Sequence, residues 1–253
     1  MKKNKIQNPI IIVCGGRGKR MGKITNNIPK PMIKIGKKPI IEHKIDYYQS
    51  QGINKFIFCL GYKSKILKNF LKKKITKSTF SDAGLKPGIL KRIFLVKDKI
   101  NQPTIISYGD TLAKINFKKL ISKHNKSKCA ITIVVAPIQN PFGLVEWNAK
   151  GIATKFKEKP ILNHFIGYAV ISPLFFNKLG NKIINLADGK GIIQAINYLI
   201  KKKQVNIYKF EDLQITINSP SELKYAKINY QKYPPSLPYL VFCIFAKILN
   251  IQT

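Results

Sequence analysis

The chain has 253 residues, is 45% hydrophobic and carries a formal net charge of +35, from 46 Lys and Arg against 11 Asp and Glu. That length and apolar content suit one large domain with an ample core and exclude a disordered polycation. The charge taken alone suggests a polyanionic partner. However, arginine occurs only at Arg17, Arg20 and Arg92, and the lysines are spread along the chain among Ile and Asn. Biased codon usage would give the same composition, so no specific nucleic acid is expected.

In chain order, Ile10–Cys14 reads as a buried strand, followed by the glycine- and cation-rich stretch CGGRGKRMGKITNNIPKPM at 14–32. A helix over Ile40–Ser50 ends at Gly52. Lys55–Leu60 is a strand and Ser64–Lys74 a basic helix. Thr104–Tyr108 is a strand that stops at Gly109-Asp110. Asn116–His124 fits a helix and Ala130–Ala136 a fully buried strand. From Gly143 to Ser172 short strands and turns suggest an antiparallel insertion or extension. Gly191–Lys203 is a helix, Val205–Phe210 and Leu213–Ile217 are strands, and Pro220–Asn229 is a last helix. The alternation predicts an α/β fold: a Rossmann-like, mostly parallel sheet flanked by helices, with a small antiparallel extension. Residues 1–230 form one domain in this reading, and 231–253 an apolar tail.

That tail holds PYLVFCIFAKILNI at 238–251, well short of the ~20 residues a spanning helix needs. It is read as a docking helix; contact between copies in a homo-oligomer and a foot on a membrane surface are the alternatives. Cys14, Cys59, Cys129 and Cys243 show no metal or redox spacing, and His43, His124 and His164 are scattered, so reduced core cysteines of a cytoplasmic protein are expected.

Ligands of open α/β sheets bind beyond the carboxyl ends of the strands. Two informative segments fall there, the loop after Cys14 and Tyr108-Gly109-Asp110. Gly15, Gly16 and Gly18 let the backbone approach a phosphate with its N–H groups. Arg20 offers a planar fork of donors. Lys30 is flanked by Pro29 and Pro31, which restrict the backbone that aims it. No Gly-Lys-Ser/Thr closes the loop, and no acidic residue ends the next strand, so it is neither a Walker A loop nor a dinucleotide fingerprint.

Residues 15–43, GGRGKRMGKITNNIPKPMIKIGKKPIIEH, resemble the signature of the sugar-1-phosphate nucleotidyltransferases: a GGxGTRL loop, then PKPM, then a GxKPIIEH helix. FIFCLGYK at 56–63, SYGD at 107–110, FGLVE at 142–146 and FKEKP at 156–160 continue the likeness in order. SDAGLKPGILKRI at 81–93 is similar to a stretch of the glucose-1-phosphate cytidylyltransferases.

The resemblance implies transfer of NMP from an NTP, CTP as first candidate, to a sugar 1-phosphate with release of pyrophosphate, in the synthesis of surface polysaccharide or lipopolysaccharide. It implies Gly15, Gly16, Gly18 and Gly88 at the nucleotide and Arg20 at the leaving phosphates. It implies Lys30 at the α-phosphate, Asp110 on Mg²⁺, and Gly143, Glu158, Lys159 and Gly167 at the sugar phosphate.

Asp110 could instead cap a helix, Glu158 could pair with a neighbour, and Gly88, Gly143 and Gly167 could be turn or strand-edge glycines. Lys19 stands at the family's threonine. The region 213–226 offers Thr216 and Asn218 where the family has a second metal-binding aspartate. Phe165 and Ile166 replace sugar-side residues. Transfer to a non-sugar phosphate such as phosphocholine, or a homologue that binds nucleotide sugars without turnover, are the alternatives these departures leave.

Overall fold

In the computed structural model, residues 5–212 and 214–229 are described. Seven strands form the central sheet, in the order Val205–Lys209, Ile131–Gln139, Ile161–Ile171, Thr104–Tyr108, Ile10–Val13, Phe56–Leu60 and Ser78–Asp82. All neighbours are parallel except those of Ile161–Ile171, which runs antiparallel to both. The expected α/β sheet is therefore present, and the antiparallel segment supplies one of its strands.

The central strand reads Ile-Ile-Ile-Val because both its faces are covered, so alternation would bury polar groups. Its residues sort by face. Ile10 and Ile12 join Phe56, Phe58, Ile105 and the helices Ile40–Ser50 and Phe117–Ser127. Ile11 joins Ile57, Cys59, Ile106 and the helices Ile89–Phe94 and Lys190–Lys201.

A third cluster holds Met21, Ile33, Ile35, Ile40, Ile215, Ile217, Leu223 and Ala226. It packs the stretch after the glycine loop against Gln214–Thr216 and the helix Pro220–Asn229. This cluster brings residues 20, 30 and 218 together across nearly 200 positions of chain.

The helices Ile40–Ser50, Ser64–Lys74 and Pro220–Asn229 and the strand Thr104–Tyr108 have the boundaries expected from sequence. The strand expected over 130–136 runs on to Gln139, and that expected over 213–217 is seen as Gln214–Thr216, paired with Thr111–Ala113. The helix over 116–124 extends to Ser127, with Asn116 as its cap accepting from the Lys119 N–H. The proposed docking helix at 231–253 lies outside the described residues. Among the described residues no helix is long and apolar enough to cross a membrane.

Candidate active site

The chain leaves Ile10–Val13 toward Phe56–Leu60 on one side and returns at Thr104–Tyr108 on the other. The order of strands thus reverses at Ile10–Val13, and a crevice opens beyond the carboxyl ends there. A cleft of about 690 Å³ occupies it. Its lining includes Gly16, Gly18, Arg20, Lys30, Gly88 and Asp110 of the residues expected from sequence. Arg17, Lys19 and Arg92 add three more cations, and Asp188 one more carboxylate. Five cations against two carboxylates suit a polyanionic ligand.

The loop is built around its glycines. Gly18 has φ +69°, a left-handed backbone that glycine adopts without strain. A Cβ there would come within 3.2 Å of Lys30 Cβ, so the bare backbone is what lets the Lys30 stem pass beneath. Gly18 O accepts from the Met21 N–H, starting a tight turn through Lys19–Thr25 that carries Arg20. Lys30 opens the short turn Lys30–Met32, whose second residue is Pro31; the ring needs no backbone partner at that position.

Lys30 is only 9% exposed, yet its ammonium reaches into the cleft. Nζ donates to Asp110 Oδ2 at 2.6 Å and to Asn218 Oδ1 at 3.1 Å. The same Asn218 oxygen accepts from Arg20 Nη2 at 2.9 Å. Asp110 does not cap a helix; it precedes the strand Thr111–Ala113, and its carbonyl accepts from the Ile217 N–H at 3.1 Å. That bond fixes residue 218 beside residue 110.

Asn218 is held in turn by a capping box. Ser219 Oγ accepts from the Glu222 N–H at 3.2 Å, and the Glu222 carboxylate accepts from the Asn218 N–H. Sequence reasoning passed over Glu222, although the spacing Ser219-x-x-Glu222 signals such a cap.

Two buried cations also escaped it. Arg92 lies in the LKRI segment, and its being one of three arginines in a lysine-rich chain is the signal that could have found it. Lys44 is 1% exposed; it donates to Thr111 O and, at 2.7 Å, to Tyr168 Oη, beneath the Asp110 turn. Tyr168 Oη donates to the same carbonyl at 2.7 Å. Burial, and after it the charge of Asp110, pushes the Tyr108 hydroxyl above its ordinary value, so it stays a neutral group. Burial does the same to the Cys14 thiol, which is no nucleophile despite lining the cleft.

The remaining expected residues stand apart or serve as spacers. Gly15 abuts the Arg92 guanidinium. Gly88 precedes the helix Ile89–Phe94, and a Cβ there would meet Leu186 O at 2.5 Å. Gly143, Glu158 and Lys159 are outside the cleft lining, around the exposed ribbon Leu144–Trp147 and Ala153–Lys157. Glu158 pairs with Lys159 at 3.5 Å, both side chains more than half exposed. Gly167, φ +76°, lies at a register break in Ile161–Ile171, its Cα against the Tyr108 ring. Phe165 packs edge-on to that ring, with centroids 5.8 Å apart.

Asp110 Oδ2 and Asn218 Oδ1 converge on one ammonium, so two hard oxygen donors face one point. The Lys30 ammonium fills that point. Asp110 Oδ1, met among the described residues only by Thr111 Oγ1 at 3.4 Å, is the hard oxygen that fits a small divalent cation completed by phosphate oxygens. No cluster of three or more His, Cys, Asp or Glu occurs among the described residues, so an all-protein metal cage is not built there.

Comparison with known proteins agrees with the cleft. The family described as Nucleotidyl transferase matches residues 9–212. A "Probable glucose-1-phosphate cytidylyltransferase" of Bacillus subtilis is 34% identical over 195 residues, covering 67% of this chain and 76% of that protein. The mannose-1-phosphate guanyltransferase of Kluyveromyces lactis is 26% identical; this chain spans 58% of its length. Among solved structures, HddC from Yersinia pseudotuberculosis with GMP-PN superposes with a TM-score of 0.68 at 19% identity, over 88% of this chain and 99% of that one. UDP-glucose pyrophosphorylase from Acinetobacter baumanii gives 0.69 at 17%, over 91% and 95%. The chain therefore belongs to the nucleotidyl transferase family.

Proposed function

We propose that the protein transfers a nucleoside monophosphate from an NTP to a sugar 1-phosphate, giving a nucleotide sugar and pyrophosphate. The observation that carries this reading is the convergence of Arg20, Lys30, Asp110 and Asn218 at the mouth of a glycine loop. CTP is the first candidate nucleotide, supported by the identity to the Bacillus subtilis cytidylyltransferase. The product serves synthesis of surface polysaccharide or lipopolysaccharide in the cytoplasm.

In this mechanism an acceptor phosphate oxygen attacks the α-phosphorus in line. A new P–O bond forms as the bond from the α-phosphorus to the α,β-bridging oxygen breaks, and pyrophosphate leaves with that electron pair. The acceptor oxygen is already anionic, so no general base is required. Catalysis is positioning and charge neutralisation. Gly16 and Gly18 leave the backbone open to the triphosphate. Arg20 holds the β,γ-phosphates. Lys30, anchored on Asp110 and Asn218, sets a charge at the α-phosphate. Asp110, through the carboxylate oxygen that Lys30 does not take, would hold Mg²⁺, which when bound neutralises phosphate charge and acts as a Lewis acid.

A second reading concerns the acceptor alone. Phe165, which stands where the resemblance calls for a sugar-side residue, packs on the Tyr108 ring of the cleft. An aromatic pair is suited to a quaternary ammonium, which supports a non-sugar phosphate such as phosphocholine. Pyrophosphate release, with Mg²⁺ and CTP, GTP, dTTP or UTP crossed with sugar 1-phosphates and phosphocholine, tests both. Release with one nucleotide–acceptor pair is expected. Silence of the whole panel, with no nucleotide bound in calorimetry, would contradict both readings.

A further inference from the structure

A chain that uses lysine for nearly every cation has only three arginines, and all three line the cleft. Arg17 and Arg20 lie on the glycine loop. Arg92 comes from the helix Ile89–Phe94 and is 3% exposed. Among the described residues no carboxylate stands within ion-pair distance of it. Its guanidinium donates to main-chain carbonyls instead: Nη1 to Leu60 at 2.6 Å, Nη2 to Gly84 at 2.6 Å and to Leu85 at 3.4 Å.

Those carbonyls belong to two separate pieces of the site. Leu60 ends the strand Phe56–Leu60, next to the glycine loop, since the Tyr62 N–H donates to Gly15 O. Leu85, Pro87 and Gly88 form a wall of the cleft. One planar fork therefore fastens that wall to the sheet, which a single ammonium could not span.

Room for the fork is made by leaving out side chains. A Cβ on Gly15 would lie 2.4 Å from Arg92 Nη1. One on Gly61 would lie 2.6 Å from the same atom and 2.5 Å from Gly84 O. The far end of the wall is fastened separately, by the Ile89 N–H donating to Asp188 O at 2.9 Å.

We propose that Arg92 is a positioning residue for nucleotide selection. It holds residues 84–88 in place before the nucleotide arrives, so the wall that meets the base is preformed. The inference rests on the reading that this cleft takes the nucleotide. Loss of the fork leaves Lys30 and Asp110 untouched, so the cost falls on nucleotide binding and base choice and much less on turnover at saturation.

The test is steady-state kinetics of Arg92→Lys across the four nucleotides, beside the native protein. The expected result is a nucleotide KM raised tenfold or more, kcat within about threefold, and a smaller preference for the best nucleotide over the others. Gly84→Ala is the second variant, used if Arg92→Lys does not fold. Its Cβ meets open space, and only its φ of +68° disfavours the carbonyl direction that Arg92 reads. A smaller KM rise with kcat retained is expected. A folded variant with native KM and native base preference, or a fall in kcat alone, overturns the role of Arg92 and leaves the proposed function standing. A native protein that binds no nucleotide overturns both.

Discussion

At the residue scale, Lys30 matters most because it is nearly buried and still aimed into the cleft. Its ammonium holds two oxygen donors in place and has a third proton for a phosphate. Replacing Lys30 by Met keeps most of the packing under Gly18 and removes the charge. A fall in kcat of about 10²–10³-fold at unchanged Tm is the expected outcome, the usual cost of one preorganised group aimed at developing charge. Asn218 gives a sharper test. Asn218→Asp adds a second carboxylate beside Asp110, and the Mg²⁺ concentration for half-maximal rate should fall by about tenfold, since hard cations prefer carboxylate oxygen. An unchanged Mg²⁺ titration would place the ion away from Asn218.

Much of this site was legible in the sequence, because glycine, Arg20, proline-flanked Lys30 and Asp110 are unusual types at informative spacing. Arg92 was not, because its partners are carbonyls, and carbonyls carry no residue identity. Nor was the join between residues 110 and 218, made by one backbone hydrogen bond and an apolar cluster.

At the element scale, the expected helices and apolar strands are all present, several with the expected bounds, but the helices Phe117–Ser127 and Lys190–Lys201 and the strand Ile131–Gln139 differ from expectation by one to three residues at an end. Ser78–Asp82 was missed: an edge strand with one neighbour, it is polar and half exposed and shows no apolar run. The helix Ile89–Phe94 is six residues long, too short for a period to show. The long strand Ile161–Ile171 was read as part of an antiparallel segment, but its entry into the central sheet follows from pairing with partners remote in sequence.

Two predictions belong to this scale. Gly167→Ala meets both a φ of +76° and the Tyr108 ring at 2.9 Å, so about 1–3 kcal/mol of stability should be lost, as read by urea denaturation. His124, on the helix Phe117–Ser127, is 3% exposed with Nδ1 2.9 Å from Thr132 Oγ1, and burial pulls its pKa to about 4. Between that value and the ordinary 6.5 the unfolded chain binds a proton that the native chain does not. Stability is thus full above pH 6.5 and falls by roughly 3 kcal/mol as pH drops toward 4. Urea midpoints measured at pH 7 and 4.5 should differ, and by much less in His124→Gln. An equal acid loss in both proteins would show that other groups carry it.

At the scale of the whole molecule, the charge of +35 comes almost entirely from lysines spread along the sequence. What is concentrated is arginine, and it is concentrated in the cleft. The sheet reverses direction at the strand that feeds the glycine loop, so fold and chemistry meet at one crevice. The ribbon 144–157 stands outside that crevice, which is why the expected sugar-side residues Gly143, Glu158 and Lys159 are apart from the cation cluster.

The central claim is that the bond to the α-phosphorus is remade, and isotope position reports it directly. The protein is given Mg²⁺, an acceptor phosphate and the nucleotide that supports release, labelled in one sample at the α-phosphate and in another at the γ-phosphate. Nucleotidyl transfer predicts the α-label in the new nucleotide conjugate and the γ-label wholly in pyrophosphate, with both products lost in Asp110→Ala. The γ-label appearing on the acceptor, or in inorganic phosphate, would mean that the cleft breaks the terminal bond and would contradict the mechanism at its centre.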